Sequence, residues 1–199
     1  MSGTRIEWGA AARALAGQDE SGDRHLVKPL PDGALFAAAD GLGHGHEAAL
    51  AADLAVRTAE HHAGLSLIEI MERCHHSLIR TRGVALSLAR WEAKQKAVTW
   101  LGVGNVEGLL LRPDSDKRPV PERLLLRLGV VGARLPGLQE ARVEVAGTGV
   151  LIFTTDGIAS GFELGLDARV RPQPLADQIL ARHSRGTDDA LVLVARLSG

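Results

Sequence analysis

One cysteine, no tyrosine, three tryptophans and three phenylalanines are spread over 199 residues. The lone Cys74 has no partner for an internal disulfide, and no Cys or His spacing resembles a zinc clip. So few aromatic rings leave little to stack on single-stranded bases. Charge of one sign is missing too: 23 Lys plus Arg against 24 Asp plus Glu leave a formal net charge of −1, with none of the basic excess that a polyphosphate backbone attracts. No apolar run approaches the ~20 residues that cross a bilayer, and the opening MSGTRIEWGA has no apolar signal core. These absences predict a cytoplasmic chain in a reducing compartment, with one sizeable core and a single domain over 1–199.

What is present is strand-rich. Residues 5–39 read as short strands broken by AGQDESGD and PLPDG, whose Gly, Asp, Ser and Pro supply turns. Two helices follow. Residues 47–62 are alanine-rich, with Leu50 and Leu54 four apart, and 66–81 place Leu67, Met71, Cys74 and Leu78 on one helical stripe. Ser66 with Glu69 three residues on forms a capping-box signature, and Gly83 a stop. The period then changes to two, with Val84, Leu86 and Leu88 leading through a turn at 92–95 to Val98 and Trp100. Further strands are expected at 106–111, 124–128, 141–145, 150–155 and 190–196, a polar loop at 112–122, and a last helix at 174–183. Sequence-adjacent strands around a helical pair predict an α+β fold of antiparallel sheets with helices stacked outside.

Four acidic points recur at strand ends. Asp40 closes ALFAAAD before Gly41, Asp156 closes VLIFTTD before Gly157, Asp23 sits in ESGDRHLV, and Asp188 with Asp189 precedes ALVLVAR. An acid at the tip of a rigid strand is preorganised, and the glycine after it lets backbone approach. Each alone also reads as an ordinary Asp-Gly turn or a loop cap. Together, several carboxylates in one partly dry place repel one another unless cations compensate. No Lys or Arg is regularly placed beside them, so metal ions are the natural compensators. All-oxygen ligands select Mg²⁺ or Mn²⁺, and two such ions suit phosphate-ester hydrolysis.

ESGD, ADGLGHG, GVGNVEGLLL, TTDG and DDALVLVAR, in that order, resemble the metal-dependent PPM protein phosphatases (the phosphatase 2C class), and most of all the bacterial SpoIIE/RsbU/RsbX branch. The resemblance runs from Asp23 to Arg196 and is thin between Arg112 and Ala146. It implies a four-layer αββα sandwich, a two-ion Mn²⁺ or Mg²⁺ centre and serine/threonine phosphatase activity. The partners it implies are phosphorylated STAS-domain proteins of a stressosome-like complex. It also implies roles: Asp40 bridges both metals, Gly41 lends its backbone carbonyl to one, Asp23 is an acid near them, Asp156 is the acid of the late Asp-Gly motif, and Asp188 is the first acid of the final motif with Asp189 as its fallback. Asp40 and Asp156 are the expected catalytic pair.

Two departures stand out. Animal members have a histidine directly after the bridging Asp-Gly, where this chain has Leu42, and an arginine some residues before the first acid, where it reads AGQDESGD. Phosphate is then held by the metals, or by Arg13 or Arg24. His44 and His46 in GHGHE lack the third histidine of a zinc run and are expected to shape the loop and helix start, while His61-His62 and His75-His76 are expected on solvated helix faces. GLGHG fails as a dinucleotide fingerprint. GVGNVEG is read as a turn, with a minor role for Asn105 open. A non-catalytic phosphoprotein-binding module and a hydrolase of small phosphate esters remain as alternatives.

Overall fold

The computed structural model describes residues 6–112 and 121–198. In chain order the elements are β1 (Glu7–Arg13), β2 (Asp23–Leu30), β3 (Gly33–Gly41), α1 (His46–His61), α2 (Leu67–Leu78), β4 (Val84–Glu92), β5 (Ala97–Val103), β6 (Glu107–Leu111), β7 (Glu122–Arg123), β8 (Leu126–Arg127), β9 (Ala141–Glu144), β10 (Thr148–Thr154), α3 (Pro172–His183) and β11 (Ala190–Ser198). The start of the first strand at Arg5, and the polar loop over 113–120, lie outside the described residues.

The strands alternate their side chains between two cores. In β3, Leu35, Ala37 and Ala39 pack under α1 and α2, while Ala34, Phe36 and Ala38 face Phe153, Leu191 and Leu193 of the opposite sheet. A third core lies beyond that sheet, where Ile152, Val192 and Val194 meet Leu175 and Ile179 of α3. The layers are therefore helix pair, sheet, sheet and helix, the expected αββα arrangement. One sheet runs β1-β11-β10-β6-β7. The other runs β2-β3-β4-β5-β8, with β9 also on β5. One pair departs from the antiparallel expectation: β8 lies parallel to β5, Gly102 beside Leu126 and Val103 beside Arg127. Of the strand expected at 124–128 only Leu126–Arg127, β8, is formed, and a separate two-residue strand, β7, precedes it at 122–123 on the other sheet.

Helix α2 forms as its local code predicts. Ser66 Oγ accepts from Glu69 N at 3.2 Å, and Glu69 Oε2 accepts from Ser66 N at 3.0 Å. Its stripe of Leu67, Met71, Cys74 and Leu78 is buried, and burial pushes the Cys74 thiol up to about 12, out of the reactive range. Helix α1 follows a different logic. Leu50 and Leu54 are 54% and 36% exposed, and the buried face is built from Ala48, Ala49, Ala51, Ala52, Ala55 and Ala59. Small residues on both α1 and β3 let helix and sheet approach closely, which larger side chains would prevent.

That approach is closest at Gly41, where a Cβ would overlap the Ala48 carbonyl oxygen of α1. Gly41→Ala is expected to cost about 3 kcal/mol, because a backbone carbonyl cannot swing aside as a side chain can. Gly64→Ala, with open space around it and no left-handed backbone, is expected to be nearly neutral. Urea unfolding of both variants checks the contrast.

Candidate active site

Register brings the acids together. In the β2–β3 pair, Asp23 stands directly opposite Asp40. In the other sheet, β10 ends two residues before Asp156 and β11 begins two residues after Asp188, and these strands are hydrogen-bonded neighbours. Asp40, Asp156 and Asp188 line one cleft of about 210 Å³, together with Asn105, His44 and Ala85.

The two sheets are stitched beneath this cleft. Thr155 Oγ1 donates to Asp23 Oδ2 at 2.7 Å and accepts from Leu191 N at 2.8 Å. Asp23, only 4% exposed, is thus held by a side chain of the opposite sheet. Thr155 was not singled out from the sequence, although TTDG placed it beside the acid. Asn105 Nδ2 donates to Asp156 Oδ2 at 2.7 Å, so the turn between β5 and β6 does reach the cleft.

Asp188 and Asp189 divide the work between them. Asp189 Oδ1 accepts from Leu15 N at 2.7 Å and Oδ2 from Gly22 N at 2.6 Å. Both oxygens are occupied in tying down the loop that leads into Asp23, and Asp189 is 4% exposed. Asp188 lines the cleft instead, with Oδ1 accepting from Asp189 N at 2.8 Å. The glycines after Asp40 and Asp156 have the same steric cause: a Cβ at Gly157 would overlap the Asp189 carbonyl, as one at Gly41 would overlap that of Ala48. The Gly41 carbonyl oxygen and Asp189 Oδ2 both lie close to Gly22, where a Cβ would touch them.

Burial, then its acidic neighbours, raises the Asp40 carboxyl to about 8. Burial likewise lifts Asp23 to about 7, with Asp189, Asp156 and Asp188 adding to it and the Thr155 hydrogen bond opposing. Asp156 is raised by burial and by Asp188, and Arg185 opposes. Each acid responds to the others because they share one low-dielectric region. Such a set holds protons near neutral pH unless a cation takes their place. Its donors are all oxygen, the chemistry of Mg²⁺ or Mn²⁺. Among the described residues no three His, Cys, Asp or Glu side chains close on a common point, so the acids are gathered in one cleft more loosely than the tight convergence that a hard-cation site implies. The donor set therefore fits a hard divalent cation in kind, as an open cluster.

Of the histidines considered from the sequence, His44 alone reaches this cleft. His46 Nδ1 pairs with Glu20 at 3.0 Å at the start of α1, and His44 lines the cleft between Gly43 and Gly45, both with left-handed backbone. His61, His62 and His76 line a separate depression of about 640 Å³ between α1 and α2, with Arg57 and Arg73 and no acid. His75 departs from the solvated-face expectation: its Nδ1 accepts from Gly132 N at 3.0 Å and fixes a loop against α2. Among the described residues no helix is long and apolar enough to cross a membrane, which leaves strand-built spans unaddressed.

Comparison with known proteins follows the same lines. The family profile described as Stage II sporulation protein E (SpoIIE) matches residues 31–198. The phosphoserine phosphatase RsbX of Bacillus subtilis (strain 168) is 29% identical over 106 residues, 53% of this chain and 53% of that one, so the match spans about half the length of this curated relative. A chain from a structure described as "The bacterial stressosome: a modular system that has been adapted to control secondary messenger signaling" is 29% identical with a TM-score of 0.87, covering 96% of this chain and 99% of that one. RsbX crystallised with magnesium superposes with a TM-score of 0.87 at 21% identity, covering 100% of this chain and 98% of that one.

Proposed function

We propose that this chain, which belongs to the stage II sporulation protein E family, is a divalent-metal-dependent protein phosphatase that hydrolyses phosphoserine or phosphothreonine on a partner protein. One observation carries the proposal: Asp40, paired in register with Asp23 at the tip of one sheet, shares a cleft with Asp156 and Asp188 from the tip of the other. Similarity to a phosphoserine phosphatase and to a magnesium-bound neighbour of the same fold supports it.

In this reading Asp40, Asp156 and Asp188, with the Gly41 carbonyl, would hold the divalent ions, and Asp23 sits beneath them. Two ions bound there supply positive charge and acidify a water for attack on phosphorus. The chain's own contribution is positioning. Thr155 and Asp189 are spent on fixing Asp23 and its loop, so the tips keep their places before a substrate arrives. The attack is read as direct, by water, without a phosphoenzyme. Leu42, at the cleft edge, has no proton to give.

The expected partners are phosphorylated STAS-domain proteins of a stressosome-like complex, in keeping with the stressosome chain of the same fold. The test is incubation of such proteins, or of a generic phosphoserine protein, with the full chain and manganese, following phosphate release. Release should require Mn²⁺ or Mg²⁺ and stop in excess chelator. Release that persists in chelator rejects the two-ion mechanism, and tight capture of the phosphoprotein without any release makes the chain a binding module.

A further inference from the structure

A phosphate dianion entering a cleft lined by three carboxylates is drawn in by bound divalent ions, and a cation of the chain's own beside the acids would add to that attraction and orient the anion. The two arginines considered from the sequence do not serve. Arg24 Nη1 donates to the carbonyls of Ser21 at 2.6 Å and of Asp23 at 2.9 Å, and Arg13 ends β1 opposite Ala190, without a hydrogen bond to the Asp156–Gly157 turn among the described residues. Arg82, across the Asp40–Gly45 loop, is paired with Glu47 at 2.6 Å.

We infer that Arg185 is the substrate-phosphate-binding residue of this cleft. Its backbone N donates to the Gly157 carbonyl at 2.8 Å, and Ala159 N donates to His183 O at 2.8 Å, so the segment entering the Asp188 loop is zipped against the Asp156–Gly157 turn. Gly186, with φ of 71°, turns the chain straight after Arg185, and Asp188 three residues on lines the cleft. The backbone of Arg185 is therefore fixed beside the Asp156–Gly157 turn and three residues before Asp188, just outside the residues that line the cleft. Its side chain is exposed and, among the described residues, has no hydrogen bond or ion pair that would hold it elsewhere. A guanidinium offers two parallel N–H donors to phosphate oxygens, a geometry that lysine lacks. Nothing in the local sequence SRGTDD marks this residue as near Asp156; the pairing of 183–185 with 157–159 does.

The inference rests on the phosphate-ester reading of the cleft, and its test separates the two. Wild type, Arg185→Gln and Arg185→Lys, each loaded with Mg²⁺, are titrated with inorganic phosphate by calorimetry and assayed on p-nitrophenyl phosphate. Arg185→Gln should weaken phosphate binding about tenfold or more and raise KM by a like factor, with kcat and Mg²⁺ affinity nearly unchanged. Arg185→Lys should recover part of the loss. Being exposed, the position should tolerate both changes without loss of melting temperature. Unchanged phosphate affinity in Arg185→Gln, or an effect confined to Mg²⁺ affinity, overturns the inference and assigns Arg185 to charge balance of Asp156. Arg185-dependent phosphate binding in a protein that hydrolyses no ester sustains the inference and removes the hydrolase reading.

Discussion

Asp40→Asn is expected to lower phosphate release from a phosphoserine protein by on the order of 10³-fold, and at the same time to raise the melting temperature of the metal-free protein at pH 8. The two effects have one cause. Asp40 lies opposite Asp23, in a region where burial and four neighbouring acids push its carboxyl up to about 8. Its negative charge is unfavourable for the fold by itself and is kept for what it attracts. Asparagine preserves the shape and removes the charge, so a divalent cation would lose one of its proposed ligands while the strand tip loses a repulsion. A variant that is inactive because it is misfolded would melt earlier, so the paired measurement distinguishes loss of chemistry from loss of structure. Turnover near the wild-type rate, or a lower melting temperature with activity intact, would remove Asp40 from the centre of the mechanism.

The second large effect is a dependence of stability on pH that runs opposite to ordinary acid denaturation. Asp23 and Asp40 have folded-state values of about 7 and about 8, against a reference of 3.8. Between these limits the folded chain binds more protons than the unfolded one, so stability falls as pH rises, by up to about 1.4 kcal/mol per pH unit for each such carboxyl. The contribution is fully present below about pH 4 and is lost as pH passes through 7 to 8. The metal-free protein should melt highest near pH 5 and progressively lower up to pH 8, each kcal/mol being worth about 3 °C for a chain of this size. Magnesium or manganese at millimolar concentration should restore the melting temperature at pH 8 and flatten the profile, because ions that bind only the folded state stabilise it by mass action. Thermal scans from pH 5 to 8, with and without metal, decide the matter. A metal-free profile that is flat or rises over that range would mean the tips are not gathered.

Much of the fold was legible because its rules are local. The capping box at Ser66 and Glu69 and the stripe ending at Leu78 involve residues three or four apart, and the structure forms both as read. The alternation through Val84, Leu86 and Leu88 likewise marks one face of β4, since all three belong to the core under α1 and α2. Helix α1 was harder. Leu50 and Leu54 look like its inner face, yet the chain buries alanines there, because the demand comes from β3 and Gly41 and not from the helix itself. The parallel placement of β8 was illegible for the same reason: two residues carry no directional signal, and pairing with β5 supplies it.

The acids divide along the same line. The sequence alone determined that carboxylates stand at strand ends with glycines behind two of them, which is enough to predict a hard-cation site and its chemistry. Which acids meet was decided only by the tertiary structure. Asp23 is bonded to Thr155, 132 residues away, and Asp189 to Leu15, 174 residues away, and adjacent Asp188 and Asp189 are sent to different tasks by the strand that follows them. Chain spacing sets which side chains can share a face of one element. Where two sheets come to rest on each other is set by cores drawn from the whole length of the molecule, and the cleft exists only at that meeting.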